Sequence, residues 1–176
     1  MILKLKRTPG IYLVGFMGSG KTTIGARLAD ELGWHFGDLD EDVVRLHKMS
    51  ISEIFDNHGE PGFREIEREV LKTRIRAVQS GRPLVLALGG GTFVDPENNR
   101  LLSENGVSVW LDCSFDRIRT RIGDGSGRPL ARDPARFKEL FHARRSEYSR
   151  CDYRVSVETD DPAEVTAAIL ELPLFK

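Results

Sequence analysis

The sequence predicts an α/β fold in which a parallel sheet is flanked by helices. Short apolar, β-rich runs alternate along the chain with segments of helical periodicity. One run, Leu84-Val85-Leu86-Ala87-Leu88, is apolar at every position, as a parallel strand covered on both faces requires. Another, Ile11-Tyr12-Leu13-Val14, runs straight into Gly15-Phe16-Met17-Gly18-Ser19-Gly20-Lys21-Thr22, a G-x-x-x-x-G-K-T loop.

In chain order, the first strand is expected at 11–14. Ile24, Leu28 and Leu32 then recur at helical spacing, so a helix is expected over 21–32 with Gly33 as its stop. A short strand follows near His35-Phe36-Gly37, and residues 41–61 read as a helical insertion after it. Further helices are expected at 62–79, 115–122, 134–149 and 162–171, and further strands at 84–88, 107–111 and 153–157. The last helix has Asp161 as N-cap, Pro162 at its first position and Glu164 to complete a capping box. Residues 123–133 are glycine-rich, charged and poor in core residues. Between two helices of a P-loop enzyme they read as a lid that excludes water, and on composition alone as a solvated loop. The length of 176 residues suits a single domain spanning 1–176.

Composition narrows the function classes. With 40% hydrophobic and 30% charged residues the chain reads as globular, and no apolar run approaches membrane-spanning length. The first nine residues lack a signal-peptide core, and Cys113 and Cys151 read as buried thiols without metal-ligand spacing. A cytoplasmic protein is expected, with no membrane or nucleic-acid partner. The net charge of −1 hides an asymmetry. Residues 30–69 carry twelve acids against four bases, while 117–154 carry ten arginines and Lys138 against five acids. The basic stretch lacks the interleaved aromatics of a base-stacking surface, so its arginines read as clamps for polyphosphate and carboxylate.

The glycine-rich loop points to a nucleoside triphosphate. Its backbone N–H groups turn into one concavity with the positive end of a helix behind them. Gly18, Ser19, Gly20, Lys21, Thr22 and Thr23 are the candidate cradle, with Lys21 reaching the β- and γ-phosphates and the Thr22 hydroxyl offered to Mg²⁺. Asp38 and Asp40 follow the second strand. In extended chain they share a face, one for the Mg²⁺ shell and one for an attacking hydroxyl; the other reading is an exposed acidic turn running into Glu41 and Asp42. Arg64 and Glu67, at i, i+3, are either a fork fixed for a ligand or a surface ion pair. Gly89, Gly90 and Gly91 at the end of the apolar strand suggest close backbone approach to a ligand. On helix 134–149, Phe137, Phe141, Arg144 and Tyr148 form one stripe. It turns Arg144 inward toward a ligand carboxylate or a structural salt bridge, and rotates Arg145 away.

These residues, in this order, resemble the shikimate kinase family of nucleoside-monophosphate-kinase-like P-loop folds. The resemblance runs from about Gly10 to Pro162. It takes in the P-loop, Asp38-Leu39-Asp40, Ile51-Ser52-Glu53-Ile54-Phe55, Gly59-Glu60, Phe63-Arg64-Glu65-Ile66-Glu67, Gly89-Gly90-Gly91-Thr92, Arg128-Pro129-Leu130 and the segment Arg144 to Tyr148. It departs in Ala131, where a second leucine is common, and in Arg145-Ser146-Glu147, which lacks a Pro-Leu before Tyr148.

The resemblance implies a five-stranded parallel sheet, with 41–61 as substrate-binding insertion and 123–133 as lid. The implied reaction is ATP-dependent phosphorylation of the shikimate 3-hydroxyl, a step of aromatic amino acid (chorismate) biosynthesis, by a monomer with Mg²⁺. Catalytic roles fall to Lys21, Asp40 and Arg128. Asp38 and Thr22 serve the metal, Arg121, Arg128 and Pro162 the nucleotide, and Asp40, Arg64, Gly89, Gly90, Gly91 and Arg144 the shikimate. Rival readings are a kinase of another small hydroxy acid such as gluconate, a nucleotide kinase, and an inactive shikimate-binding regulatory domain. A GTP-dependent switch is excluded by the lack of an Asn-Lys-x-Asp motif.

Overall fold

Burial sorts the strands before topology does. In the computed structural model, which describes residues 10–123 and 131–176, β1 (Gly10–Val14) and β3 (Leu84–Ala87) are buried at every position. These apolar strands lie inside one sheet of order β2-β3-β1-β4-β5, in which all four neighbouring pairs are parallel. The edges are β2 (His35–Asp38) and β5 (Tyr153–Val157), where polar residues such as Arg154 and Ser156 face water; β4 (Val107–Cys113) lies between β1 and β5.

Among the described residues seven α-helices flank the sheet: α1 (Lys21–Leu32), α2 (Leu39–His47), α3 (Ile51–Gln79), α4 (Pro96–Glu104), α5 (Phe115–Ile122), α6 (Pro134–Tyr148) and, after the last strand, α7 (Pro162–Leu170). The chain leaves β1 through α1 for β2, returns to β3, and then crosses to β4 on the other side of β1. That reversal opens a crevice at the carboxyl ends of the strands. Phe16, at the start of the P-loop, packs against Phe137 and Phe141 with ring centroids 5.2 and 5.3 Å away, and this seats α6 beside the crevice.

The sequence-based boundaries needed four corrections. The segment 41–61 is helical as expected, but its helix bounds differ: α2 begins at Leu39, and α3 starts at Ile51 instead of 62. A capping box between Ser50 and Glu53 starts α3 early, and the helix then kinks at Gly59, just before Pro61. The second is α4, which was not anticipated although Asp95 caps it and Pro96 occupies its first turn. In α7, Asp161 does cap Ala163, but its own N–H, which Glu164 needs for a capping box, donates to Thr159 Oγ1 at 3.1 Å. Lastly, β4 runs on to Cys113. Of the expected lid, residues 124–130 lie outside the described residues.

Candidate active site

Two cavities open at the carboxyl end of the sheet. The larger, about 710 Å³, is bordered by the P-loop, by Asp38 and Asp40, and by Arg121 and Pro162. Gly20 takes a left-handed φ of 96° as N-cap of α1, a turn that glycine makes without strain. Lys21 Nζ curls back to donate to the carbonyls of Gly15 and Phe16 at 2.8 and 3.1 Å. Gly18, Gly20, Lys21, Thr22 and Thr23 line the cavity, whereas Ser19 is fully buried beneath the loop.

Asp38 works on two sides. Its Oδ1 caps α2 by accepting from the N–H groups of Asp40 and Glu41, and its Oδ2 accepts from Thr22 Oγ1 at 2.5 Å. The extended geometry expected for Asp38 and Asp40 is therefore wrong, because the helix starts between them, at Leu39. Both still reach the larger cavity. A hydroxyl and a carboxylate beside a P-loop are the hard oxygen donors that suit Mg²⁺, and phosphate and water would supply its other ligands. Among the described residues, no group of three or more His, Cys, Asp or Glu could hold a metal by itself.

Arg121 Nη1 donates to the Gly18 carbonyl at 3.0 Å, and its Nη2 donates to Asp160 at 2.7 Å. The arginine thus ties α5 to the P-loop and to the loop before α7.

The smaller cavity, about 420 Å³, takes Arg64 and Glu67 from α3, Gly89 to Gly91 from the turn after β3, and Arg144 and Tyr148 from α6. Phe16, Met17, Phe55, Phe63 and Leu140 supply its apolar wall. Arg64 Nη1 donates to Glu67 Oε1 at 2.9 Å, and Glu67 is fully buried. This is no surface pair. Burial works against the Arg64 charge, but Glu67 and then Glu60 more than offset it and hold the guanidinium proton more firmly than usual. A Cβ on Gly91 would collide with the Arg64 guanidinium and lie 2.7 Å from Arg144 Nη1, so a side chain there would displace both guanidinium groups.

Arg144 Nη1 and Tyr148 Oη both donate to the Gly90 carbonyl. Arg145 turns away to pair with Asp112 and lies over the Trp110 ring. Asp40 borders both cavities. Burial, then the Glu67 and Asp38 carboxylates, push its pKa up to about 6, with Lys21 and Arg64 opposing them.

A nucleotide-sized cleft joined through one carboxylate to a pocket with two arginines is the layout of a small-molecule kinase. The family model for shikimate kinase matches residues 17–172. The chain belongs to the shikimate kinase family. It is 37% identical over 161 residues to a shikimate kinase of Persephonella marina, covering 91% of this chain and 96% of that protein. A shikimate kinase of Synechococcus elongatus is 40% identical over 159 residues, covering 89% and 81%. The structure of shikimate kinase from Acinetobacter baumannii in complex with shikimate superposes with a TM-score of 0.87 at 33% identity, covering 95% of this chain and 93% of that one. The protein is accordingly a kinase of the shikimate kinase type, with ATP as phosphoryl donor.

The expected clustering of arginines at the ligands needs correction. Of the arginines in 117–154, Arg121 and Arg144 line the cavities, whereas Arg117, Arg136, Arg145, Arg150 and Arg154 pair with nearby carboxylates. Arg128 lies outside the described residues. Both cysteines are free, Cys113 buried and Cys151 half-buried. Among the described residues no helix is long and apolar enough to cross a membrane. Sequence reasoning assigned no role to the hydroxyls of Thr92 and Tyr148, whose partners are 25 and 58 residues away.

Proposed function

We propose that this protein transfers the γ-phosphoryl group of ATP to the 3-hydroxyl of shikimate, as a cytoplasmic monomer of the aromatic amino acid pathway. The observation that carries the reading is that Asp40 borders both cavities, so one carboxylate serves the nucleotide side and the acceptor side together. ATP occupies the larger cavity, with its phosphates on the P-loop and Lys21, and its base toward Arg121 and Pro162. Shikimate occupies the smaller one, its carboxylate between Arg64 and Arg144 and its ring over Gly89 to Gly91. A planar carboxylate suits paired guanidinium forks.

Asp40 accepts a hydrogen bond from the 3-hydroxyl and orients it toward the γ-phosphorus. The bond from that phosphorus to the β-phosphate oxygen breaks as the bond to the shikimate oxygen forms, and the hydroxyl proton passes late to Asp40. Because the transition state is loose, positioning and charge neutralisation carry most of the acceleration. Lys21 supplies part of that charge. Arg128 is assigned to the transferring group by resemblance alone. Thr22 and Asp38 would hold Mg²⁺, which when bound neutralises the β- and γ-phosphate oxygens.

The test is ADP release from MgATP with and without shikimate, with gluconate and a nucleoside monophosphate as control acceptors. Release that appears only with shikimate supports the reading. Turnover with another acceptor alone overturns the assignment of Arg64, Gly90 and Arg144.

A further inference from the structure

Glu67 is a fully buried carboxylate with two distinct jobs for its two oxygens. Oε1 accepts from Arg64, and Oε2 accepts from Thr92 Oγ1 at 2.8 Å. Thr92 is itself fully buried and forms no part of either cavity wall. It is held from both ends: its N–H donates to the Gly89 carbonyl at 3.1 Å, and its carbonyl accepts from Asn98 Nδ2 at 3.2 Å. Asn98 is buried on α4, with its N–H on the Asp95 cap.

We propose that Thr92 is a positioning residue for acceptor binding, acting through Glu67 to set the Arg64 guanidinium. This rests on the reading of the smaller cavity as the shikimate site. A buried carboxylate oxygen that loses its donor rotates to find another, because leaving it unsatisfied costs more than the bond itself contributes. Rotation of Glu67 carries Arg64 with it, since the two are joined at 2.9 Å. Space leaves little room for compromise. A point one Cβ bond out from Gly89 lies 2.9 Å from Asp40 Oδ1 and 3.0 Å from both Glu67 Oε2 and Thr92 Oγ1. Asp40 Oδ1, Glu67 Oε2 and Thr92 Oγ1 therefore crowd the same side of Gly89, where the threonine hydroxyl bonds Glu67 without lining either cavity.

The experiment compares Thr92→Val, which keeps the shape and removes the hydroxyl, with Thr92→Ser, which keeps the hydroxyl. Thr92→Val is expected to raise the shikimate KM about tenfold. Its ATP KM should change less than about twofold, and Thr92→Ser should restore the shikimate KM to within about twofold of the parent. On an Arg64→Ala background, Thr92→Val should add nothing further, because the path it acts through is gone. An unchanged shikimate KM in folded Thr92→Val overturns the proposal, as does an equal rise in both KM values or full additivity with Arg64→Ala. If Thr92→Val does not fold by circular dichroism, Thr92→Ala against Thr92→Ser carries the same comparison with the same outcomes. Parent enzyme without shikimate-dependent turnover overturns the proposed function and this inference together. A normal parent with an unaffected variant overturns this inference alone.

Discussion

Tyr148 donates its hydroxyl to the Gly90 carbonyl at 2.5 Å, across 58 positions of sequence. The bond fastens the glycine turn after β3 to the last turn of α6, one helical turn from Arg144. Tyr148 is buried and packs against Trp110 with ring centroids 6.1 Å apart, so its ring is fixed independently of the bond. Tyr148→Phe keeps that packing and removes one of the two bonds that the Gly90 carbonyl accepts, leaving the one from Arg144. The shikimate KM should rise roughly three- to tenfold with kcat little changed, as expected for one hydrogen bond of about 1 kcal/mol. Steady-state kinetics at fixed saturating MgATP measure it, and a drop in kcat with constant KM would contradict the positioning role.

Neighbouring arginines on α6 should behave differently. Arg144→Ala removes a cavity guanidinium and should raise the shikimate KM by more than about tenfold, with the melting temperature nearly unchanged. Arg145→Ala leaves buried Asp112 with Arg154 alone, so it should cost about 1–3 kcal/mol of stability and leave the shikimate KM near the parent value. Thermal unfolding and kinetics on the same two variants separate these effects. The reverse pattern would move the carboxylate site to Arg145.

Lys21→Ala should lower kcat by about two to three orders of magnitude while the protein remains folded, because in the proposed mechanism Lys21 neutralises the transferring phosphates. Its ammonium donates to the Gly15 and Phe16 carbonyls, so a modest loss of stability is also expected. Rapid-quench measurement of the chemical step checks it, and near-normal turnover would remove Lys21 from the mechanism.

Asp40 makes both activity and stability depend on pH. In the proposed mechanism the carboxylate form accepts the hydrogen bond from the attacking hydroxyl, so kcat/KM should rise with pH around the free-enzyme value of about 6. The stability term has the opposite direction. The folded chain holds the Asp40 proton up to about 6, whereas an unperturbed aspartate loses it near 3.8. Between these values the folded state binds more protons, so this group's contribution falls as pH rises through the window and stays lost above it. Asp40→Asn should therefore stabilise the protein at pH 7 by about 1–2 kcal/mol, a figure reduced for residual solvent contact, while nearly abolishing turnover. Urea unfolding at pH 4 and pH 7 tests the sign; a gain larger at pH 4 would refute it.

Much of this protein was legible in its linear pattern. Leu84 to Leu88 declared a buried parallel strand because every position was apolar, and Gly15 to Thr22 declared a phosphate loop because the loop chemistry is local. Local signals also marked Asp161 and Pro162 as a helix start. The Asp38–Asp40 geometry and α4 were misread or missed, since a helix cap competes with an extended strand end and only packing decides between them.

Sequence alone determined the fold class and the P-loop, because these depend on periodicity and on chemistry within a few residues. Tertiary structure decided which partners distant side chains meet: Arg145 pairs with Asp112, and buried Glu67 accepts from Thr92 as well as from Arg64. It also decided that most arginines of the basic stretch answer local carboxylates. Those outcomes depend on which distant backbone approaches which side chain, and that proximity exists only once the sheet has closed around β1 and α6 has packed on Phe16.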